Sequence, residues 1–236
     1  MRRLSLAKND EKILTIYQYL LTNERCSYII WHCEHCSLEG TIMAKKGLTK
    51  EAVIEAAVDL IERNGLPSFS LRNLASSLEI QVSSLYNHIS GQNELLTEVG
   101  IRAVDLLTDL EENAIAEKRK DEALFAIADA YRLFAKEHPE LYRIIMGVHI
   151  LHLPVLEKEL EKIVAPILTV LSGYELSEEQ QMHYQRILRS IMHGFYAHES
   201  TGGFTYAEID KETSYRLAIQ CVAGALNEKR KQHHEE

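Results

Sequence analysis

Ser83, Ser84, Asn87 and His88 stand close together in the chain, all short hydrogen-bonding side chains with no acid among them. Groups of this kind can bond base edges and phosphate oxygens, and the missing carboxylate spares them the repulsion of a polyanion. Asn can also bond an adenine edge in two places at once. Such residues need a rigid element to present them, and the stretch SLRNLASSLEIQVSSLYNHIS, Ser70 to Ser90, supplies it. Leu71, Leu74, Ala75 and Leu78 fall at i, i+3, i+4 and i+7, the apolar stripe of a short helix with Ser70 placed to cap it. Glu79, Ile80 and Gln81 interrupt the pattern, and Val82, Leu85, Tyr86 and Ile89 restart it on a second helix. So short a link cannot comfortably reverse the chain. The two helices therefore cross steeply near the small Ala75, which is helix-turn-helix geometry.

At these residues the chain resembles the TetR family of bacterial transcriptional regulators. Gly65, Ser70, Leu74-Ala75, Leu78 and Leu85-Tyr86-Asn87-His88 match the family pattern in order, over a span far longer than a short motif. Glu79 stands where the family usually has Gly, Ile89 where it has Phe, and Gln92 where a Lys normally meets phosphate. The resemblance implies that Tyr86 and His88 touch backbone phosphates. Arg72 is a further candidate for phosphate, Gln81 for a helix cap or a phosphate contact, and Ser83, Ser84 and Asn87 for base edges. With Ser70 these make the expected DNA-binding set.

Composition bounds the rest. In 236 residues, 46% are hydrophobic and 26% charged, and only 4 prolines and 11 glycines favour long helices over a turn-rich β fold. The net charge is −9, yet residues 43–93 carry five basic and five acidic side chains, so the larger part of the chain is acidic and does something other than bind nucleic acid. No apolar run approaches the ~20 residues of a membrane span. The longest, Ile163 to Leu171, contains Pro166, and the basic start MRRLSLAKND is not followed by a signal-peptide core. The expectation is a cytoplasmic protein with no membrane partner.

Two further chemistries compete. Cys33 and Cys36 have Cys-x-x-Cys spacing, with Cys26, His32 and His35 beside them, so a metal or redox sensor is the alternative reading. A second ligand pair is missing, and Met43-Ala-Lys-Lys-Gly looks like a family start, which makes residues 1–42 an extension of unknown role. No bound metal or cofactor is therefore expected. Catalysis finds no support either: G-x-x-x-x-G-K, G-x-S-x-G and H-E-x-x-H are all absent, and Glu157, Glu159 and Glu161 alternate around a helix.

The remaining elements follow from periodicity and punctuation. Thr49 caps a helix whose inward face is Val53, Ile54, Ala57, Leu60 and Ile61, and Asn64-Gly65 ends it, with Leu66 to Phe69 as a loop. A long helix from Asn93 to about Asn113 leads into the second domain, and the charged stretch Glu111 to Asp121 marks a bend. Helices over Glu122–Glu137, Pro139 to Met146, Pro154 to about Leu171 with a kink at Pro166, Ser177 to about His198 and Glu208–Lys231 complete an all-α chain.

This second half resembles the WHG-type ligand-binding domain of one TetR subfamily. The matching residues are Tyr131-Arg132-x-Phe134-Ala135-x-x-His138-Pro139-x-Leu141-Tyr142, then His193-Gly194-Phe195 and Gly202-Gly203-Phe204, with Met192 in place of the signature Trp. The resemblance implies an effector pocket and a dimer built on the last two long helices. Residues of the right type to line the pocket are Tyr131, Phe134, Met146, His149, Ile163, Met192, His193 and Tyr196. Ala218, Cys221, Val222, Ala225 and Leu226 form the stripe a second copy could bury, and Gly194 in mid-helix suggests close helix contact. The organisation expected is a three-helix helix-turn-helix domain over 43–93 and a larger helical ligand-binding and dimerisation domain over 94–236. Its function would be that of a ligand-responsive homodimeric repressor, whose partners are a palindromic double-stranded DNA operator and a small-molecule effector.

Overall fold

A computed structural model describes residues 48–205 and 208–233, and these residues form helices joined by turns. Leu48 to Glu236 makes up one compact unit.

Helix α1, Lys50–Asn64, begins where the Thr49 hydroxyl accepts the Ala52 amide at 3.1 Å and ends at Gly65, whose φ of +81° is a conformation glycine adopts cheaply. A short 3-10 turn, Leu66–Ser68, occupies the expected loop. Helix α2 is Leu71–Ser77, capped by Ser70 through the Asn73 amide at 3.1 Å. Helix α3 is only Val82–Leu85, shorter than the periodicity suggests, and the chain continues through single turns in which the His88 amide donates to the Leu85 carbonyl at 2.9 Å. Helices this short are not stable alone. They hold because Val53, Ala57, Ile61, Phe69, Leu74, Ala75, Leu85 and Ile89 are buried in a shared core, at about 1.5–3 kcal/mol for each large side chain.

Helix α4, Gln92–Ile115, runs straight through the expected bend at Glu111. Leu107, Glu111 and Ile115 lie at i, i+4 and i+8 on one buried face, so the two apolar neighbours carry the carboxylate inside with them. The turn comes after it, before α5, Lys120–Glu137. Then follow α6, Pro139–Met146; α7, Val148–Leu151; α8, Pro154–Glu159; α9, Glu161–Ser172; α10, Glu178–Ser200; and α11, Lys211–His233. The single helix expected from Pro154 to Leu171 is two, divided at Leu160, with Pro166 buried inside the second. A capping box opens α10, with Ser177 and Gln180 bonding each other's backbone. Helix α11 starts three residues later than expected because the Asp210 carboxylate accepts the Thr213 amide at 2.9 Å and sets the first turn there.

Helices α4 and α10 each pack on both α5 and α9, making a four-helix layer around one interior; α11 lies on α5 and α10, and α6 on α1, α4 and α5. Gly100 on α4 leaves room for Leu156 of α8, whose side chain sits where a Cβ would be.

Candidate nucleic-acid interface and polar interior

The helix-turn-helix surface presents Arg72, Gln81, Ser83, Tyr86 and Asn87 to solvent, with Ser84 and His88 half-buried. Tyr86 is 55% exposed although it falls in the apolar period of its helix, so its ring is spent on something other than the core. The Ser70 hydroxyl is committed to capping α2. Gln81 occupies the N-cap position of α3 without making a side-chain cap. The turn between α2 and α3 is made by Glu79 in the left-handed region at φ +54°, where a glycine would sit without strain.

Two ties hold this surface to the rest. Lys50 of α1 bonds Glu94 at 3.0 Å and Glu98 at 2.6 Å, both on α4. The Ser90 hydroxyl and amide, together with Lys50, hold the Glu94 carboxyl down at about 2. The second tie is reciprocal. Glu62 of α1 accepts the Leu141 amide in the first turn of α6 at 3.0 Å, while Glu140 of α6 accepts the Leu66 amide at 2.8 Å. Amides at helix starts lack intrahelical acceptors and carry partial positive charge, so carboxylates suit them. The partners are 79 and 74 residues apart, and no pattern in the sequence announces the pairing.

Helix α6 also points inward. The Tyr142 hydroxyl lies 3.0 Å from that of Tyr131 and bonds His193 Nδ1 at 2.5 Å, and its ring meets Tyr131 and Tyr196 edge-on with centroids 5.8 and 4.9 Å away. Burial pushes the Tyr131 hydroxyl up to about 12 and that of Tyr142 well above its ordinary value. Three of the expected pocket residues, Tyr131, His193 and Tyr196, are thus brought together by Tyr142; Tyr131 and Tyr142 are buried, Tyr196 is half-buried and His193 is exposed, so the cluster meets solvent at its histidine. Phe134, Ile163 and Met192 are buried in the general core, and Met146 is half-buried. His149 lies exposed on α7, 3.4 Å from Glu157. An added Cβ at Gly194 meets nothing within 4 Å, so the close contact expected of it is not made within this chain.

Beside the tyrosines lies a set of buried polar groups that sequence reasoning missed. Glu111 is 0% exposed and Gln185 4%; neither Glu111 carboxylate oxygen, nor the Thr108 hydroxyl, nor Gln185 Oε1 has a hydrogen-bond partner among the described residues. Desolvation drives the Glu111 carboxyl well above its ordinary value; the charge of Arg189 pulls back and that of Glu112 adds to the rise. On the outer side, Arg132 is almost buried between α5, α10 and α11. It bonds Glu199 and Glu212 and stacks over Phe195 and Tyr215 at 5.4 and 4.6 Å.

No group of three or more His, Cys, Asp or Glu side chains among the described residues could hold a metal ion, and Cys26, His32, Cys33, His35 and Cys36 lie outside those residues. No helix among the described residues is long and apolar enough to cross a membrane.

Comparison with known proteins agrees with this geometry. Residues 124–222 match the family described as the Tetracyclin repressor-like C-terminal domain. The HTH-type transcriptional regulator YobS of Bacillus subtilis is 31% identical over 63% of this chain and 78% of its own length. The HTH-type transcriptional regulator Rv0681 of Mycobacterium tuberculosis is 30% identical over 75% of this chain and 81% of its own. Among solved structures, apo ActR from Streptomyces coelicolor superposes with a TM-score of 0.57 at 19% identity, covering 78% of this chain and 98% of that one. The chain is an all-α DNA-binding transcriptional regulator, and it belongs to the TetR family.

Proposed function

We propose that the chain is a ligand-responsive homodimeric repressor, with a reading head over 43–93 and a sensing and dimerisation body over 94–236. The observation that carries this reading is the Glu62–Leu141 and Glu140–Leu66 pair of hydrogen bonds. They tie the head to α6, the helix whose Tyr142 joins the interior cluster. A ligand that favours one position of α6 thereby favours one orientation of the head, by no more than its differential affinity for the two states. ActR, a protein of similar fold, has also been solved in complex with (S)-DNPA, which supports a small molecule as the effector.

In the DNA-bound state Ser83, Ser84 and Asn87 face base edges, and Arg72, Gln81, Tyr86 and His88 meet phosphates, with Ser70 holding α2 in place. Two copies place their α3 helices in successive major grooves about one helical turn apart, which makes the operator palindromic. The dimer face comprises the outward residues of the last two helices. Leu217 is 61% exposed and Ile187 46%; Cys221 and Ala225 are also exposed, and an added Cβ at Gly194 or Gly224 meets nothing within 4 Å. Val222 and Leu226, placed in the stripe by periodicity, are buried within their own chain instead.

The test is gel retardation of duplexes selected by the purified protein from a random pool. Asn87→Ala should relax sequence preference, Tyr86→Ala should weaken all duplexes together, and Leu217→Glu should abolish both dimer sedimentation and retardation. Retardation untouched by all three changes would end this reading.

A further inference from the structure

We propose that Glu111, Thr108 and Gln185 form the polar end of an effector site that takes an amphipathic ammonium ligand, a protonated nitrogen on an apolar body. This rests on the effector-pocket reading above and names the chemistry of that same interior.

The argument starts from the sign of what is unmet. Glu111 offers two carboxylate oxygens, Thr108 a hydroxyl oxygen and Gln185 a carbonyl oxygen, and none of them has a partner among the described residues. Every one can accept a hydrogen bond, and only the Thr108 hydroxyl and a protonated Glu111 can also donate, so a ligand rich in donors suits the set. Buried polar groups in native proteins are nearly always bonded, and a buried carboxylate left alone is the costliest exception. A protonated amine brings donors, and seated beside Glu111 it displaces to solvent the proton that burial keeps there and pairs with the carboxylate.

Placement supports one site rather than scattered defects. Thr108 and Glu111 are one turn apart on the same face of α4, and Gln185 and Arg189 are one turn apart on α10. The two helices share α5 and α9 as neighbours, and Glu111, Arg189 and Tyr131 lie within electrostatic reach of one another. Arg189 offsets part of the carboxylate charge without bonding either oxygen. Leu107 and Ile115 on α4 and Leu188 and Met192 on α10 are buried and apolar, and Tyr131 of α5 adds an aromatic ring, which suits an apolar body on the ligand. Tyr131 bonds Tyr142 of α6, so a ligand seated against Tyr131 is one hydrogen bond away from the helix that is clasped to the head.

Three probes with one apolar body and different heads test the proposal: dodecylammonium, dodecanol and dodecanoate. Each is titrated calorimetrically into the full-length protein below its aggregation concentration. Dodecylammonium should bind at least tenfold more tightly than the other two. Glu111→Gln should erase that preference, bringing dodecylammonium to within about twofold of dodecanol. Thr108→Val and Gln185→Leu should each weaken dodecylammonium alone, which keeps the test alive should Glu111→Gln not fold. Equal binding of the alcohol or the carboxylate, or a preference that survives Glu111→Gln, overturns the ammonium site and leaves the effector pocket standing. If none of the three probes binds, the pocket reading falls and this proposal falls with it.

Discussion

The Glu140 carboxylate accepts the Leu66 amide at 2.8 Å and also pairs with Arg143 at 3.0 Å, so one side chain joins the start of the 3-10 turn after α1 to the first turn of α6. Glu140→Ala leaves a part-buried amide without its acceptor and should destabilise the protein by about 1–3 kcal/mol. Hydrogen exchange makes the sharper check. Protection of the Leu66 amide should be lost in Glu140→Ala and that of the Leu141 amide in Glu62→Ala. Unchanged protection at both positions would show that the clasp holds nothing.

Glu79 turns the chain at φ +54° with its side chain exposed, so glycine there relieves backbone strain and forfeits no packing. Glu79→Gly should stabilise by about 1 kcal/mol, less the extra entropy of the unfolded chain. That corresponds to a rise of roughly 2–4 °C in Tm for a protein of this size. Differential scanning calorimetry checks it, and a fall in Tm would mean the turn is unstrained.

Burial raises the Glu111 carboxyl well above its ordinary 4.5, with Arg189 opposing the rise and Glu112 adding to it. The native state therefore holds a proton that the unfolded chain has already released. The associated stability is whole below the unfolded-state value and is lost as pH rises through the folded-state one. Glu111→Gln has no such loss. Its stability advantage over wild type should grow as pH is raised from about 5 to about 8. Urea unfolding at both pH values measures the gap, and a constant gap would place Glu111 in contact with water.

Arg132 is 6% exposed and bonds Glu199, itself largely buried, while Glu212 is half-exposed and more fully screened. The first pair should dominate. Arg132→Ala should cost about 1–3 kcal/mol, because Glu199 keeps only its pair with Lys136 and the stack with Phe195 and Tyr215 opens. Arg132→Lys should recover only part of this, because an ammonium cannot reproduce the planar fork. Denaturation midpoints of the two variants against wild type decide the point; a Lys variant as stable as wild type would reduce the interaction to charge alone.

Much of the architecture was legible because local rules act on neighbouring residues. The Thr49, Ser70 and Ser177 caps, the Gly65 terminus and the apolar stripes of α1 and α4 follow from periods and hydrogen-bonding chemistry within a few residues. Errors arose where a local rule met a distant surface. A charged run suggested a bend at Glu111, but the interior behind Leu107 and Ile115 kept the helix going. Tyr142 belongs to the Tyr131-to-Tyr142 motif, yet its role as the link between Tyr131 and His193 depends on α6 packing on α5.

The sequence by itself determined the helices, their caps and the small polar surface over Ser83, Ser84 and Asn87, because each depends on residues within two turns of one another. Tertiary structure alone decided that Val222 and Leu226 face inward while Leu217 and Ala225 face out, that Glu62 and Glu140 clasp across more than seventy residues, and that Glu111 is shut away from water. Periodicity tells a helix which stripe to bury. Only the packing of all the helices together decides what that stripe meets.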